Sequence, residues 1–174
     1  MRKVLFLFGE LNDADVDWLI GNGSSERVSK GSVLVDEGRP IRALYIVLDG
    51  SFEVLLSHAA LGRMGAGEIL GEISFVDSRP PTTTVRALTD ATVFALPRDL
   101  LALKLKGDPG FASRFYRALA MFLSHRLRVL TLKFAEPKNV TGPEPETALD
   151  QEVLSSVYLA GKRFERLLKQ LTPG

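Results

Sequence analysis

The chain has 174 residues, of which 45% are hydrophobic and 25% are charged, and it contains no cysteine. This composition fits a globular domain with a real hydrophobic core, and it excludes disulfides and thiolate metal sites. Because 22 basic residues nearly balance 21 acidic ones and only two histidines occur, we expect neither a polyanion-binding protein nor a structural metal site.

The apolar run at residues 4–8 follows two basic residues, as in a short signal peptide. It is too short for the apolar core of such a signal, and no small-residue cleavage site follows it. No segment approaches the roughly 20 apolar residues of a membrane span. We therefore expect a cytoplasmic protein that does not bind membranes.

Helix and strand signals follow one another from residue 12 onward. Residues 12–20 predict a first helix, which Asn12 or Asp13 can cap. From about residue 26 to 96, short runs rich in Val, Ile, Leu and Phe alternate with glycine turns, including a predicted hairpin turn at Asp49 and Gly50. This pattern predicts an α+β fold built on an antiparallel β-barrel, jelly-roll-like in the manner of a double-stranded β-helix.

The pattern becomes helical after the barrel. Pro97 begins a short helix that stops at Gly107, and Asp108 caps a long one at residues 109–135. On the long helix one apolar row has a spacing of three and four, which suits packing on the barrel or on a partner helix. The row consists of Tyr116, Leu119, Leu123, Leu127, Leu130 and Phe134.

The last part of the chain predicts a linker and one more helix. Residues 136–148 have linker composition, and residues 149–171 predict an amphipathic helix. We expect this helix either to dock on a barrel, its own or a partner's, or to receive the output partner. Its predicted apolar side includes Leu159, Phe164 and Leu167. We thus expect one domain at residues 1–135, followed by the linker and the C-terminal helix.

The most specific stretch reads GEIS at residues 71–74 and PPTTTV at residues 80–85. A cyclic phosphate diester needs N–H donors, and a ribose hydroxyl needs a carboxylate acceptor; glycine and small residues near a carboxylate offer both. Together with the order helix, barrel, short helix and long helix, over about residues 10–135, this stretch resembles the phosphate-binding cassette of the cyclic nucleotide-binding domain family.

The resemblance implies a role for each residue of the cassette. Gly71 opens the motif, and Glu72 would accept a hydrogen bond from the ribose 2′-hydroxyl. The N–H groups of Ile73, Ser74 and Thr83 would face the phosphate. The Thr82 hydroxyl would lie near the phosphate and the base, which is compatible with cyclic GMP and does not exclude cyclic AMP.

The cassette departs from the family at Pro81, where the family has its phosphate-binding arginine. Proline offers neither a charge nor an N–H group. Arg79 lies two residues earlier and either replaces the missing guanidinium or is a solvent-exposed loop charge; the sequence leaves both alternatives open. We therefore expect weak binding of cyclic nucleotides, or none.

Three functions compete for this sequence. The first is a non-enzymatic regulatory protein that binds cAMP or cGMP, needs no cofactor, dimerises through the helix at 109–135 and signals to an unknown protein partner. The second is a degenerate fold that acts only as a protein–protein interaction module. The third, a transcription regulator of the catabolite activator type, needs a DNA-binding domain that residues 136–174 do not provide.

Two further functions are not expected. The carboxylates form no paired constellation, and no nucleophile has a base beside it, so we do not expect an enzyme. The basic residues between Arg114 and Lys138 are scattered around the long helix without interleaved exposed aromatics. We interpret them as a solvated face rather than a nucleic-acid patch.

Overall fold

The computed structural model describes residues 4–135 and 151–171, which form six helices and eight strands. In chain order these are α1 (Val4–Glu10), α2 (Asp13–Asn22), β1 (Ser24–Val28), β2 (Val33–Val35), β3 (Ala43–Asp49), β4 (Ser51–Leu56), β5 (Ala59–Gly65), β6 (Ile69–Leu70), α3 (Glu72–Asp77), β7 (Thr84–Ala87), β8 (Ala91–Pro97), α4 (Arg98–Gly107), α5 (Pro109–Ala135) and α6 (Gln151–Leu171). The predicted linker at 136–148 lies outside the described residues, as do residues 149 and 150.

The strands form two antiparallel four-stranded sheets. Their orders are β1-β8-β3-β6 and β2-β7-β4-β5. One buried cluster joins the two sheets, with Val47 and Val93 of the first sheet and Phe52 of the second fully buried. The predicted antiparallel jelly-roll-like fold with flanking helices is confirmed, although the sheets stay separate instead of closing into a barrel.

The predicted hairpin at Asp49 and Gly50 is wrong. Strand β3 pairs with β6 and β8, whereas β4 pairs with β5 and β7, so the chain changes sheets at this turn. Gly50 has φ 90°, and a Cβ there would lie 2.5 Å from the Ala91 Cβ. A turn signal fixes where the chain reverses, but it does not fix whether the flanking strands pair with each other.

The chain begins with two helices where the sequence predicted one. In α2, Asn12 and Asp15 form a reciprocal capping box with two hydrogen bonds of 2.9 Å, which confirms Asn12 as the cap. The apolar run at residues 4–8, which resembles the start of a signal peptide, forms α1. Its Val4, Leu7 and Phe8 side chains are buried. This run is uniformly apolar because α1 packs between α5 and α6.

Helix α5 has the predicted bounds, and the Phe111 N–H donates to the capping carboxylate of Asp108 at 2.9 Å. Its buried face is centred beside the predicted row: Phe115 is fully buried, while Tyr116 and Leu127 are 47% and 66% exposed. The helix is apolar over more than one stripe, so periodicity alone left open which stripe faces the core.

Helix α6 docks on α1 and α2 instead of on a sheet, so the predicted docking surface is wrong. Phe164 and Leu167 are buried, and the Phe164 and Phe8 rings lie 6.1 Å apart. Arg163 is paired with Asp13 at 2.7 Å and donates to the Phe8 carbonyl at 2.9 Å. Leu159, predicted on the apolar side, is 49% exposed. The sequence predicted only one N-terminal helix. It therefore could not predict that α6 packs on α1.

Candidate ligand-binding site

A cavity of about 640 Å³ opens between the second sheet, α3 and one side chain of α5. The structure brings every predicted site residue to its wall: Gly71, Glu72, Ile73, Ser74, Arg79, Thr82 and Thr83. The wall opposite α3 is mainly apolar and includes Val54, Leu61 and Met64. A carboxylate, several hydroxyls and an apolar wall therefore face the same space.

Gly71 determines how the chain enters this wall. It follows β6 with φ 90°, and a Cβ at this position would lie 2.5 Å from Ile41 Cδ1 and 3.2 Å from the Ala43 carbonyl oxygen. A glycine is required by both the backbone conformation and the close packing. The turn opens α3, where the Phe75 N–H donates to the Gly71 carbonyl at 3.0 Å.

Glu72 is a buried acid on the cavity wall. Its side chain is 6% exposed, and its Oε1 lies 3.3 Å from Nη1 of Arg126, which α5 supplies from 54 residues further along the chain. A buried carboxylate is strongly destabilising unless it has hydrogen-bonding or charged partners. The Arg126 contact therefore stabilises the ionised acid and connects α5 to the cavity.

The segment from Arg79 to Thr83 forms another part of the wall. Its backbone is held at two points: the Arg79 N–H donates to Asp77 Oδ1 at 3.0 Å, and the Pro81 carbonyl accepts from the Gly38 N–H at 2.9 Å. Pro81 itself lines the cavity, so no guanidinium comes from that position. Arg79 is exposed and also lines the cavity, which keeps it available as a substitute cation.

Two arginines of the cavity were not predicted from the sequence. Arg63 lies on β5 and Arg126 on α5, so with Arg79 of the loop after α3 the cavity is lined by three arginines from different parts of the fold. The carboxylates of Glu72 and Asp77 line the same cavity. Arg126 lies 54 residues from Glu72 in sequence, and only the fold brings it to the cassette.

The basic residues of α5 are not merely a solvated face, which corrects the expectation from sequence. Besides the contact from Arg126, Arg117 lies 3.2 Å from the Glu10 carboxylate of α1. Arg114 binds Asp15 through two hydrogen bonds of 2.6 and 2.8 Å. These pairs hold α5 against α1, α2 and α3.

Asp15 is the most buried partner of α5 among these acids, at 3% exposure. Burial alone would raise the pKa of Asp15, but the hydrogen bonds from Arg114 and from the Asn12 N–H, with the charge of Arg114, leave that pKa below its ordinary value. The carboxylate is thus ionised at neutral pH, and the pair fixes the start of α5 on α2.

Part of the chain matches a known protein family. Residues 25–106 match the family model described as "Cyclic nucleotide-binding domain". The chain is 32% identical over 77 residues to the cGMP-dependent protein kinase egl-4 of Caenorhabditis briggsae, a match over 44% of this chain and 10% of the kinase. The chain spans about a tenth of the length of the first curated relatives that it matches.

Solved structures share the fold over most of the chain. A cyclic nucleotide-binding domain from Methylobacillus flagellatus superposes with a TM-score of 0.67 at 20% identity, covering 79% of this chain and 85% of that one. The N-terminal domain of a transcriptional regulator from Streptomyces coelicolor gives a TM-score of 0.61 at 30% identity, covering 78% of this chain and 99% of that domain.

Within residues 4–135 and 151–171, no helix is long and apolar enough to cross a bilayer. The same residues contain no group of three or more His, Asp or Glu side chains arranged to hold a metal ion.

Proposed function

Because this chain belongs to the cyclic nucleotide-binding domain family, we propose that its cavity binds cAMP or cGMP and that the protein is a small non-enzymatic regulator. The observation that carries this proposal is the buried carboxylate of Glu72, held by Arg126 on the wall of a cavity that all seven predicted site residues line. A buried acid on a cavity wall is suited to accept hydrogen bonds from a sugar hydroxyl.

Each part of the ligand has a partner in this arrangement. Glu72 accepts from the ribose hydroxyl, and the backbone N–H groups of Ile73, Ser74 and Thr83 serve the phosphate. Thr82 adds a hydroxyl near the phosphate and base, and the apolar wall beside Leu61 covers the base. The assignments of the cassette residues follow from the family resemblance, and their common position on the wall supports them.

We propose that binding is weak because Pro81 supplies no guanidinium. Hydrogen bonds to a charged group contribute about 1.5–3 kcal/mol each. The loss of one such bond weakens affinity by about 10- to 150-fold, since 1.4 kcal/mol corresponds to a factor of ten. Arg79, Arg63 and Arg126 leave some positive charge around the cavity, so dissociation constants in the micromolar to millimolar range follow.

Helix α5 is the route by which a bound ligand would alter the rest of the protein. A ribose hydroxyl that binds Glu72 competes with Arg126, and Arg126 belongs to α5. Helix α5 exposes Tyr116 and Leu127 on one face, which we assign to a homodimer contact. The protein that receives the signal is unidentified. We place that partner and the present protein in the cytoplasm.

A second candidate function is a protein–protein interaction module without a nucleotide ligand. Two observations favour it: Pro81 stands at the position of the phosphate ligand, and Glu72 already has an intramolecular cation. The exposed apolar residues of α5 would then be its working surface. Direct measurement of nucleotide binding separates the two candidates.

Titration calorimetry with cAMP and cGMP on the wild type and on Glu72→Gln tests the proposal. Glu53→Gln is the matched control, because Glu53 is an acid paired with Arg86 on the second sheet and away from the cavity. We expect weak binding to the wild type and the control, and about tenfold weaker binding to Glu72→Gln. If millimolar nucleotide neither binds nor raises the melting temperature of the wild type, the interaction module is the better function.

A further inference from the structure

Helix α3 bears three polar residues of the cavity wall, Glu72, Ser74 and Asp77, yet it has only six residues. A helix of this length is unstable in isolation, because nucleation is unfavourable and few internal hydrogen bonds form. Its last residue is followed by Ser78, a non-glycine residue in the left-handed region with φ 58°. Contacts from outside α3 must therefore hold it in place.

Arg98, the first residue of α4, makes three contacts with the C-terminal half of this short helix. Its Nη1 donates to the Ser74 carbonyl at 2.8 Å, and its Nη2 donates to the Ser78 hydroxyl at 3.4 Å. Its guanidinium carbon lies 5.3 Å from the centre of the Phe75 ring. One side chain thus contacts two polar groups and an aromatic face of α3.

The backbone of Arg98 is itself fixed. Its N–H donates to the Arg42 carbonyl at 2.9 Å, where the chain enters β3. Arg98 is not among the residues that line the cavity. It is therefore placed to hold α3 against the sheet framework without touching a ligand.

We propose that Arg98 is the positioning residue for the cavity wall: by capping α3, it keeps Glu72, Ile73 and Ser74 in the arrangement that binds a ligand. The expected effect of Arg98 on the affinity for cAMP or cGMP rests on the proposed function. The carbonyl groups of the last helical turn have no partner within the helix, so a cation there satisfies a group that would otherwise be left to solvent.

The planar guanidinium is required for this role. It carries two donor nitrogens at a fixed separation and stacks on an aromatic face, so it can contact Ser74, Ser78 and Phe75 together. A lysine ammonium at the same position would keep the charge and reach one acceptor. Replacement by lysine should therefore restore only part of the order of α3.

Hydrogen exchange of the ligand-free protein tests the positioning directly. The Phe75 N–H donates a hydrogen bond to the Gly71 carbonyl, so its exchange rate reports whether the first turn of α3 is formed. We expect Arg98→Ala to speed exchange in residues 72–78 by about tenfold, with Arg98→Lys intermediate and α5 unchanged. Arg86→Ala is the matched control, because Arg86 is also an exposed arginine with a close polar partner, Glu53, outside the cavity.

Two results of this experiment overturn the proposal. One is unchanged exchange in residues 72–78 of Arg98→Ala, and the other is full restoration by Arg98→Lys, which would reduce the contact to simple charge. If Arg98→Ala does not fold, Arg98→Lys and Arg98→Met provide the same comparison with the side-chain length retained.

Affinity provides the second readout and separates this proposal from the proposed function. We expect Arg98→Ala to weaken cAMP or cGMP binding by about tenfold while the control leaves it unchanged. Faster exchange in α3 with unchanged affinity would show that Arg98 has only a structural role. Absence of binding to the wild type would contradict the proposed function, and the exchange experiment would still decide whether Arg98 holds α3.

Discussion

Single residues account for both the shape of the cavity and the weakness we expect of it. Gly71 permits the sharp entry into α3, Glu72 supplies a buried acceptor, and Pro81 stands where a guanidinium would neutralise a phosphate. The first two residues are compatible with a functional cassette, whereas the third removes its strongest charged donor. The site thus retains its shape while part of its electrostatic attraction is lost.

Replacing Gly71 with alanine should destabilise the protein by about 1–3 kcal/mol, because the left-handed backbone becomes strained and the added Cβ meets Ile41. Urea unfolding measures the change. The control is Gly21→Ala in helix α2, where an added Cβ meets nothing within 4 Å among the described residues. We expect the control to be neutral or slightly stabilising; equal losses in the two variants would contradict the role assigned to Gly71.

At the scale of elements, ion pairs and one aromatic cluster hold the helices around the sheets. The pair between Arg114 and Asp15 joins α5 to α2, and the pair between Arg163 and Asp13 joins α6 to α2. Phe111 and Phe115 of α5 stack at 5.7 Å, and Phe75 of α3 lies 6.0 Å from Phe115. The position of α3 therefore depends on α5 as well as on Arg98.

The ion pair between Asp15 and Arg114 should make the folding stability of the protein depend on pH in the acidic range. The folded-state pKa of Asp15 lies below its ordinary value of 3.8, so the stabilisation is fully present above that value and is lost as pH falls through the folded pKa. We expect Asp15→Asn to lower the melting temperature near pH 7, and the gap from wild type to narrow steadily below about pH 4.

Melting curves of both proteins between pH 7 and pH 2 measure this dependence. Asp17→Asn is the control, because Asp17 is paired with Arg166 but its side chain is 53% exposed. An exposed pair contributes little, so the control should lose less stability at neutral pH. A gap between wild type and Asp15→Asn that stays constant down to pH 2 would contradict the role of this ion pair.

Helix α6 should contribute to folding stability through its buried aromatic residue. We expect Phe164→Ala to lower the free energy of unfolding by about 3–5 kcal/mol, because the ring is buried against Phe8. Leu159→Ala on the same helix removes a side chain that is 49% exposed and should cost far less. Similar losses in urea unfolding would indicate that α6 is not docked as described.

The sequence predicted what depends on local pattern. It predicted the bounds of α5, the capping of α2 by Asn12 and the presence of seven cassette residues in one place, because caps, helical periodicity and a short motif are local features. It missed the exchange of sheets at Gly50 and the position of Arg126 beside Glu72. Periodicity records whether a residue is buried, not which distant element buries it.

At the scale of the whole molecule, the cavity and the outer face of α5 are linked by Arg126. The inner face of α5 is covered by the other elements, with Phe115 and Phe122 buried, while Tyr116 and Leu127 face outward. An exposed apolar row on a long helix is typical of an association surface. Arg126 of the ligand site and the exposed residues Tyr116 and Leu127 of the proposed dimer contact thus belong to one helix.

Self-association through α5 should appear in light scattering at micromolar concentration as twice the monomer mass of 19.1 kDa. We expect Leu127→Asp to yield monomers, because it places a charge in the apolar row. Leu103→Asp on α4 is the control, since Leu103 is similarly exposed at 67%. A monomeric wild type, or a dimer that persists in Leu127→Asp, would contradict this assignment.

The central claim is that the cavity is a nucleotide site weakened by Pro81, and calorimetric titration of cAMP and cGMP into Pro81→Arg beside the wild type tests it most directly. A restored guanidinium gives the phosphate charge-assisted hydrogen bonds, so we predict at least about tenfold tighter binding than the micromolar to millimolar affinity of the wild type. Arg79→Ala in the same titration should abolish wild-type binding if Arg79 substitutes for the missing arginine. Submicromolar wild-type binding that survives Arg79→Ala, or no gain of affinity in Pro81→Arg, would contradict the account.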